Sequence, residues 1–359
     1  MMDNEFLKEY ENMLPDELQT FMDFLKSILT DISSKSSTTT KLANRQKVNH
    51  CCPYCFSLHI VKNGHSESGV QRYSCKDCKK RFNDATDTLC SNSKLSYEMW
   101  LHFFECMVDK LSLRKTAAKL NINKNTAFAM RHKVLNALKI FREKTVLSGK
   151  IQTDELYKSI NLKGTKPKNM PRFSKPRQTK GGSKRGISDH QVCIASAIDE
   201  WDNTYFEVVG VGPITTEMIE KTFSTVIEPG STLITDCKSS YEKFAYNHNL
   251  KLQQVKSGTY QNLDGYNLAE INGLHSNVEN FLQSFIGVST KHLQGYLDWF
   301  SYQKYLTYTV ELLKQPQVMM NYVIGQMASI NIVDIYSKEF PVDIRDAYSQ
   351  YHFTPSPDI

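Results

Sequence analysis

The sequence predicts a multidomain α+β protein in which a small cysteine-bearing unit and a set of helices precede an α/β domain. Three observations carry this. Two C-x2-C pairs lie between residues 50 and 84, helical periodicity runs through 95–144, and from Gly149 onward short β-rich runs alternate with helices. At 359 residues the chain exceeds what one hydrophobic core usually serves, so several domains are expected. The divisions fall at 1–45, 46–90, 91–146, 147–312 and a tail of 313–359.

In the first of these, Phe6, Leu7, Tyr10, Leu14, Leu18, Phe21, Phe24, Leu25 and Leu29 recur at near-helical spacing, and Pro15 splits the run into two short helices. A polar linker from Ser33 to Thr40 follows. No run approaches the roughly 18 to 20 apolar residues that cross a bilayer. With Asp3, Glu5 and Glu9 the N-terminus lacks the basic-then-apolar order of a secretion signal. The expectation is an intracellular protein with no membrane partner. Thiols then stay reduced, so the nine cysteines read as metal ligands or small core residues.

In the second division, Cys52-Pro-Tyr-Cys55 and Cys75-Lys-Asp-Cys78 are separated by nineteen residues. Two such knuckles supply four thiolates at the tetrahedral spacing Zn²⁺ prefers, and a closed four-sulfur shell leaves no position for chemistry. The zinc is therefore structural, and Ile60-Val61 and Arg72-Tyr73-Ser74 are expected as ribbon strands, turning at Asn63-Gly64 or Ser68-Gly69. Cys51 is an alternative to Cys52 with poorer spacing. Lys79, Lys80 and Arg81 suit a phosphate backbone. Cys90, Cys106, Cys193 and Cys237 are isolated and read as core thiols.

The third division reads as three helices. Trp100, Phe103, Phe104, Met107 and Val108 give the first an apolar face. Ser112 caps a second that runs to Lys119-Leu120, and Asn121-Ile122-Asn123 turns into a third with Ala127, Met130, Val134, Leu138 and Phe141 buried. Lys124, Asn125, Thr126 and Phe128, with Arg131 further along, are expected to be exposed, as a recognition helix presents such residues to a major groove. A plain three-helix bundle shares the periodicity; the adjoining cysteine unit and basic flanks favour the helix-turn-helix.

In the fourth division Gly149 to Leu156 reads as a strand ending in Asp154-Glu155, followed by strands at Val192–Ile198 and Tyr205–Val211 and a helix from Thr215 to Val226. Thr232-Leu-Ile-Thr-Asp236 is a short buried strand ending in a carboxylate and leading into a helix at Ser239–His248. Strand carboxyl ends gather at the crevice of an α/β sheet. If the two strands are parallel neighbours, Asp154 and Asp236 meet there, and a divalent cation offsets their repulsion. Strand-end carboxylates without that role are common. Between these strands, Lys158 to Arg185 holds ten Lys or Arg and no Asp or Glu, although the net charge of the chain is only +6. Pro167, Pro171, Pro176 and Gly181-Gly182 exclude regular structure there. The stretch reads as a loop that orders on DNA phosphates, with Lys180, Lys184 and Arg185 among its contacts. Tyr296, Trp299, Phe300, Tyr302 and Tyr305 have the look of a base-stacking set, but their helical spacing favours core.

The order of zinc knuckles, three helices, Gln152-Thr-Asp154-Glu155, the basic insert, Leu233-Ile-Thr-Asp236 and Ile271-Asn-Gly-Leu-His275-Ser-Asn277 resembles bacterial insertion-sequence transposases of the IS1595 group, with their ISXO2-like domain. The resemblance spans about residues 50 to 310. It implies a ribonuclease H-like α/β core with a mixed sheet, of DDE type, in which Asp154 and Asp236 are the first two ligands of Mg²⁺ or Mn²⁺. The third position, on a later helix, is filled in that group by Glu, Asn or His; its place after His275-Ser276 assigns it to Asn277. Glu279 is the alternative. Two residues along a helix turn about 200°, so only one of them can face the site. Ser284 and Ile286 stand where relatives commonly carry basic residues, followed by a matching Gly287-Val-Ser-Thr-Lys291-His292-Leu293. The resemblance further implies binding of double-stranded DNA at element ends and target, strand cleavage and transfer, a homo-oligomer on DNA, and a cytoplasmic, nucleoid-associated place. Its rivals are a transposase-derived DNA-binding protein without chemistry and a metal-dependent nuclease that cuts without joining.

Overall fold

In a computed structural model of the chain the residues described are 51–66, 71–83, 86–91, 93, 95–164, 191–285, 287–326 and 328–344. The expected helices of 1–45, the Ser68-Gly69 turn, Lys180, Lys184, Arg185 and Ile286 lie outside them. The chain divides into two compact units, Met1–Tyr97 and Glu98–Ile359. Among the described residues no helix is long and apolar enough to cross a membrane.

In the first unit β1 (Ile60–His65), β2 (Gln71–Cys75) and β3 (Arg81–Asn83) form an antiparallel sheet in sequence order. The first two are the expected ribbon strands; the third was not legible, because three residues carry no period. Asn63-Gly64 is not the turn. β1 runs through it with a register shift between Lys62 and His65, and His65 pairs with Gln71, so the connection comes after His65. Cys52, Cys75 and Phe82 form the buried centre, with Ile60, Tyr73 and Cys78 packed against it. Among the described residues of this unit that cluster is too small to supply much stability by itself.

The second unit opens with α1 (Tyr97–Val108), α2 (Leu113–Lys119) and α3 (Lys124–Glu143). Trp100, Phe103, Phe104 and Met107 are buried on α1 as their spacing requires. The Ser112 hydroxyl accepts from Lys115 N, and the Asn123 side chain accepts from Asn125 N at 2.8 Å, so each helix start is satisfied locally. Asn121, at φ 51, makes the tight turn between α2 and α3.

Five strands form the sheet of this unit: β4 (Lys150–Ser159), β5 (Gln191–Asp199), β6 (Thr204–Val211), β7 (Thr232–Asp236) and β8 (Lys251–Val255), in the order β6-β5-β4-β7-β8. β4, β5 and β6 are antiparallel, whereas β7 and β8 run parallel to β4. The sheet is mixed, as expected. Gly149, just before β4, has φ +71, and a Cβ there would collide with the Glu200 and Trp201 side chains.

Alternation along β4 sorts the two faces. Ile151 joins Leu233, Ala195 and Ala197 in a core closed by α4 (Thr216–Phe223) and α5 (Ser239–Asn247), through Ile219, Phe223, Tyr241 and Phe244. Gln152 and Asp154 therefore face the other way, toward α6 (Ala269–Gln283). Beyond it α7 (Thr290–Thr309) packs against α3, and Gly295 lets Leu135 approach to about the limit of contact, 3.1 Å from where a Cβ would stand. Tyr296, Trp299, Phe300 and Tyr302 are buried on α7, so core is the correct reading for them, while Tyr305 remains 45% exposed beside Phe141. The tail has order as well: α8 (Gln315–Gly325) buries Met319, Met320 and Val323, and α9 (Ile332–Ser337) buries Ile335.

Candidate functional site

The four cysteines of the first unit converge. Cys52 and Cys78 sulfurs are 3.6 Å apart, as are those of Cys55 and Cys75, and all four lie within 4.8 Å of one another. Zn–S bonds of about 2.3 Å at tetrahedral angles place sulfurs about 3.8 Å apart. The donor set and spacing fit zinc. Each knuckle has the same backbone device: the residue after its second cysteine, Phe56 (φ 58) or Lys79 (φ 59), takes the left-handed conformation. Cys51 is outside the cluster, so Cys52 is the fourth donor. Lys79, Lys80 and Arg81 are exposed, and the Lys80 ammonium lies 4.6 Å from the Tyr54 ring centroid.

In the second unit β4 and β7 are parallel neighbours paired Lys150↔Thr232, Ile151↔Leu233 and Gln152↔Ile234. Continuing that register two residues sets Asp154 level with Asp236, on the same face, with strands spaced about 4.8 Å apart. Asp154 is interior to β4 rather than at its end, because pairing with β5 continues to Ser159. On the β7 side, however, the ladder stops before it. The two aspartates thus occupy the notch where the strands cease to pair. Asp236 Oδ1 is buried with no hydrogen-bond partner. A buried carboxylate oxygen in that state needs a positive neighbour.

Lys238, two residues past Asp236, supplies one cation. Its ammonium is 3.1 Å from Asp236 Oδ2 and also bonds Glu155. Glu155 has no exposed side-chain surface, and the Tyr241 hydroxyl donates to its Oε1 at 2.7 Å. Burial works against the Lys238 charge, but the bonds to Glu155 and the attraction of Asp236 hold its pKa above the usual lysine range. Burial pushes the Asp154 carboxyl upward; the Glu155 amide and Lys238 oppose this, and Asp236 repulsion adds to it. Three carboxylates against one ammonium leave the site negative, which is the condition for holding a divalent cation.

α6 lies over this notch, pinned at its start by Gln152, whose Oε1 accepts from Ile271 N at 3.1 Å. On its inner face, one turn on, His275 sets Nδ1 3.9 Å from Asp154 Oδ2. Burial lowers the His275 pKa to about 4. Asn277 is exposed, on the side of α6 turned away from His275. Asn277 and His275 therefore lie on different sides of α6. Glu279, one turn beyond His275, lies on the inner side but is paired with Lys158 at 2.8 Å.

Two DNA-contact expectations on α3 are also corrected. Arg131 is fully buried, its Nη2 donating to Leu111 O at 2.6 Å and Thr116 Oγ1 at 3.3 Å, with its guanidinium over the Phe285 and Trp299 rings. It follows Ala127 by four residues and so shares the buried stripe, which the spacing already implied. Phe128 is half-buried and stacks on Tyr336, 5.4 Å between centroids. Of the remaining three, Lys124 and Asn125 are exposed and Thr126 is half-buried.

Residues 146–304 match the ISXO2-like transposase domain. The matched stretch begins just past α3 and ends within α7, so it holds the whole sheet and α6. A protein of Halobacterium salinarum, described as an uncharacterized protein in transposable element ISH50, is 28% identical over 155 residues, 43% of this chain and 51% of that one. The chain thus spans about half the length of this curated relative. Two solved structures are far more distant. The Mos1 strand transfer complex (12% identity, TM-score 0.24) and the mariner Mos1 paired end complex with Mg (12%, TM-score 0.25) each cover 64% of this chain and 78% of their own.

Proposed function

We propose that this chain is an insertion-sequence transposase with a ribonuclease H-like core, in which Asp154 and Asp236 jointly hold a divalent cation, Mg²⁺ or Mn²⁺, for strand cleavage and strand transfer. The observation that carries the reading is the parallel β4/β7 register, which continued two residues past Gln152↔Ile234 sets Asp154 level with Asp236, whose Oδ1 is buried and unpartnered. A bound divalent cation supplies Lewis-acid chemistry, polarising a phosphoryl oxygen and raising the nucleophilicity of an attacking water or 3′-hydroxyl. Around it, Asp154 and Asp236 provide the charge, Lys238 balances Glu155, and Gln152 fixes α6 over the notch.

In the same reading the four-cysteine unit holds structural zinc, and α2 and α3 form a helix-turn-helix that offers Lys124, Asn125 and Thr126 to double-stranded DNA. Lys79, Lys80, Arg81 and the basic insert with Lys180, Lys184 and Arg185 contact phosphates. Two element ends must meet, so the active form is a homo-oligomer on DNA. One observation favours a weakened enzyme as the second reading: Glu279, the remaining carboxylate on the inner side of α6, is taken up by Lys158.

The test is incubation of purified protein with labelled terminal-repeat DNA, a target plasmid and Mg²⁺ or Mn²⁺. Joined products that disappear in Asp154→Ala and Asp236→Ala are expected. Cleavage without joining indicates a nuclease, and DNA binding with neither indicates a DNA-binding derivative.

A further inference from the structure

We infer that the head of the cysteine unit binds unpaired DNA bases, with Phe56 and Tyr54 as stacking platforms and the surrounding lysines on the phosphates. The inference rests on the reading of this unit as a DNA contact and names the form of DNA it takes. Phe56 follows Cys55, Tyr54 precedes it, Lys76 follows Cys75 and Lys79 follows Cys78. The four cysteine sulfurs lie within 4.8 Å of one another, so these four side chains spring from one small head. All four are exposed, Phe56 at 68% and Tyr54 at 46%.

Phe56 is the residue that calls for a partner. Its φ of 58 lies in the left-handed region, which glycine enters without strain and a bulky side chain does not. Its ring stands in solvent, so packing within the unit does not offset that cost. Lys79 takes the same conformation in the other knuckle, but with a charged side chain that water suits. The Lys80 ammonium lies 4.6 Å from the Tyr54 ring centroid, so an aromatic surface and a phosphate-binding charge are held together.

Charge selects the occupant. Among the described residues from 51 to 83 the exposed cations are Lys62, Arg72, Lys76, Lys79, Lys80 and Arg81, against a single acid, Asp77. Asp77 is itself taken up: its Oδ2 accepts from the Ser57 hydroxyl at 2.5 Å, and its Oδ1 lies 3.2 Å from His59 Nδ1. Four thiolates around one Zn²⁺ still leave this set positive. An apolar protein surface does not match that charge, whereas a polynucleotide offers anionic phosphates and flat bases together. A duplex buries its base faces in the stack; a single strand presents them to aromatic rings.

The experiment uses the zinc-loaded full chain and three fluorescent probes of about 12 nucleotides: a mixed-sequence DNA single strand, its duplex, and an abasic strand with the same phosphates. Phe56→Gly suits the left-handed backbone and so preserves the knuckle. Wild type is expected to bind the single strand at least about 10-fold more tightly than the abasic one. Phe56→Gly and Tyr54→Ala should each weaken single-strand binding about 10-fold and leave duplex binding unchanged. A single strand carrying 5-iododeoxyuridine should crosslink under ultraviolet light to Phe56 or Tyr54 of wild type. Single-strand binding indifferent to both substitutions, or crosslinks confined to residues outside 51–83, would overturn the stacking role while the phosphate contacts stand. Binding of every probe indifferent to the double substitution Lys79→Ala, Lys80→Ala would overturn the DNA-contact reading with it.

Discussion

A carboxylate without solvent exposure survives in a fold only where hydrogen bonds and charge replace its water, and Glu155 shows how closely this site is built around that requirement. Tyr241 donates to one of its oxygens and Lys238 bonds the other. Burial alone pushes the Glu155 pKa up; these two partners oppose it. Tyr241→Phe removes one donor and keeps the ring, so chemical denaturation should show a loss of about 1.5–3 kcal/mol. At this scale the sequence was informative for Asp236, a carboxylate that closes a short buried run, while Asp154 was expected at a strand end and lies inside β4. It was uninformative for Tyr241 and Lys238, whose roles depend on strand register and on which helix lands on which face.

Among the elements, α3 and α7 form the main seam of the second unit, and a buried ion pair crosses it. Arg142 Nε is 3.0 Å from Asp298 Oδ1, with side-chain exposures of 14% and 2%, although the N–H is not aligned as a hydrogen bond. Removing one partner leaves the other buried and uncompensated, so Arg142→Met should cost about 3–5 kcal/mol in equilibrium unfolding. The same seam carries two imidazoles in contact: the His132 and His292 rings have centroids 4.1 Å apart and are tilted 48° to one another. Burial, then mutual repulsion, lowers the His132 pKa from 6.5 to about 2, and burial with nearby lysines lowers that of His292 to about 4. Folded pKa values below the unfolded value mean that the unfolded chain takes up protons first. This contribution is whole above about pH 6.5 and is lost as pH falls. Each imidazole costs about 1.4 kcal/mol per pH unit, so between pH 6.5 and 5 wild type should lose about 2 kcal/mol more than His132→Gln, read from denaturant midpoints at each pH. Helical periodicity made α1 to α3 legible, yet it identified only one buried stripe on α3. The second, against α7 and α9, is what covers Phe128 and His132, and contacts so distant in sequence leave no local period.

Over the whole molecule, the two units rest on different forces. The 98–344 stretch has a mixed sheet with a large apolar core against one face, while among the described residues of the cysteine unit the core cluster has only Cys52, Cys75 and Phe82 buried, beside four converging cysteine sulfurs. Stripping zinc with a strong chelator should therefore unfold residues 51–83 and leave the larger unit folded, seen as loss of protection from proteolysis in the first and an unchanged thermal transition in the second. The cysteine cluster, the helices of 97–143 and most strands were legible because metal spacing, helical period and strand alternation are each local signals, whereas the mixed sheet was expected only from the family resemblance. β8 and the helices of the tail were not legible, since short amphipathic pieces gain their order from packing. The proposed chemistry requires Asp154 and Asp236 to share one divalent cation. Anomalous diffraction from crystals soaked in Mn²⁺ decides this: a peak is expected about 2.1–2.2 Å from both carboxylates. Saturating Mn²⁺ with peaks only elsewhere, or with the two carboxylates turned apart, contradicts it.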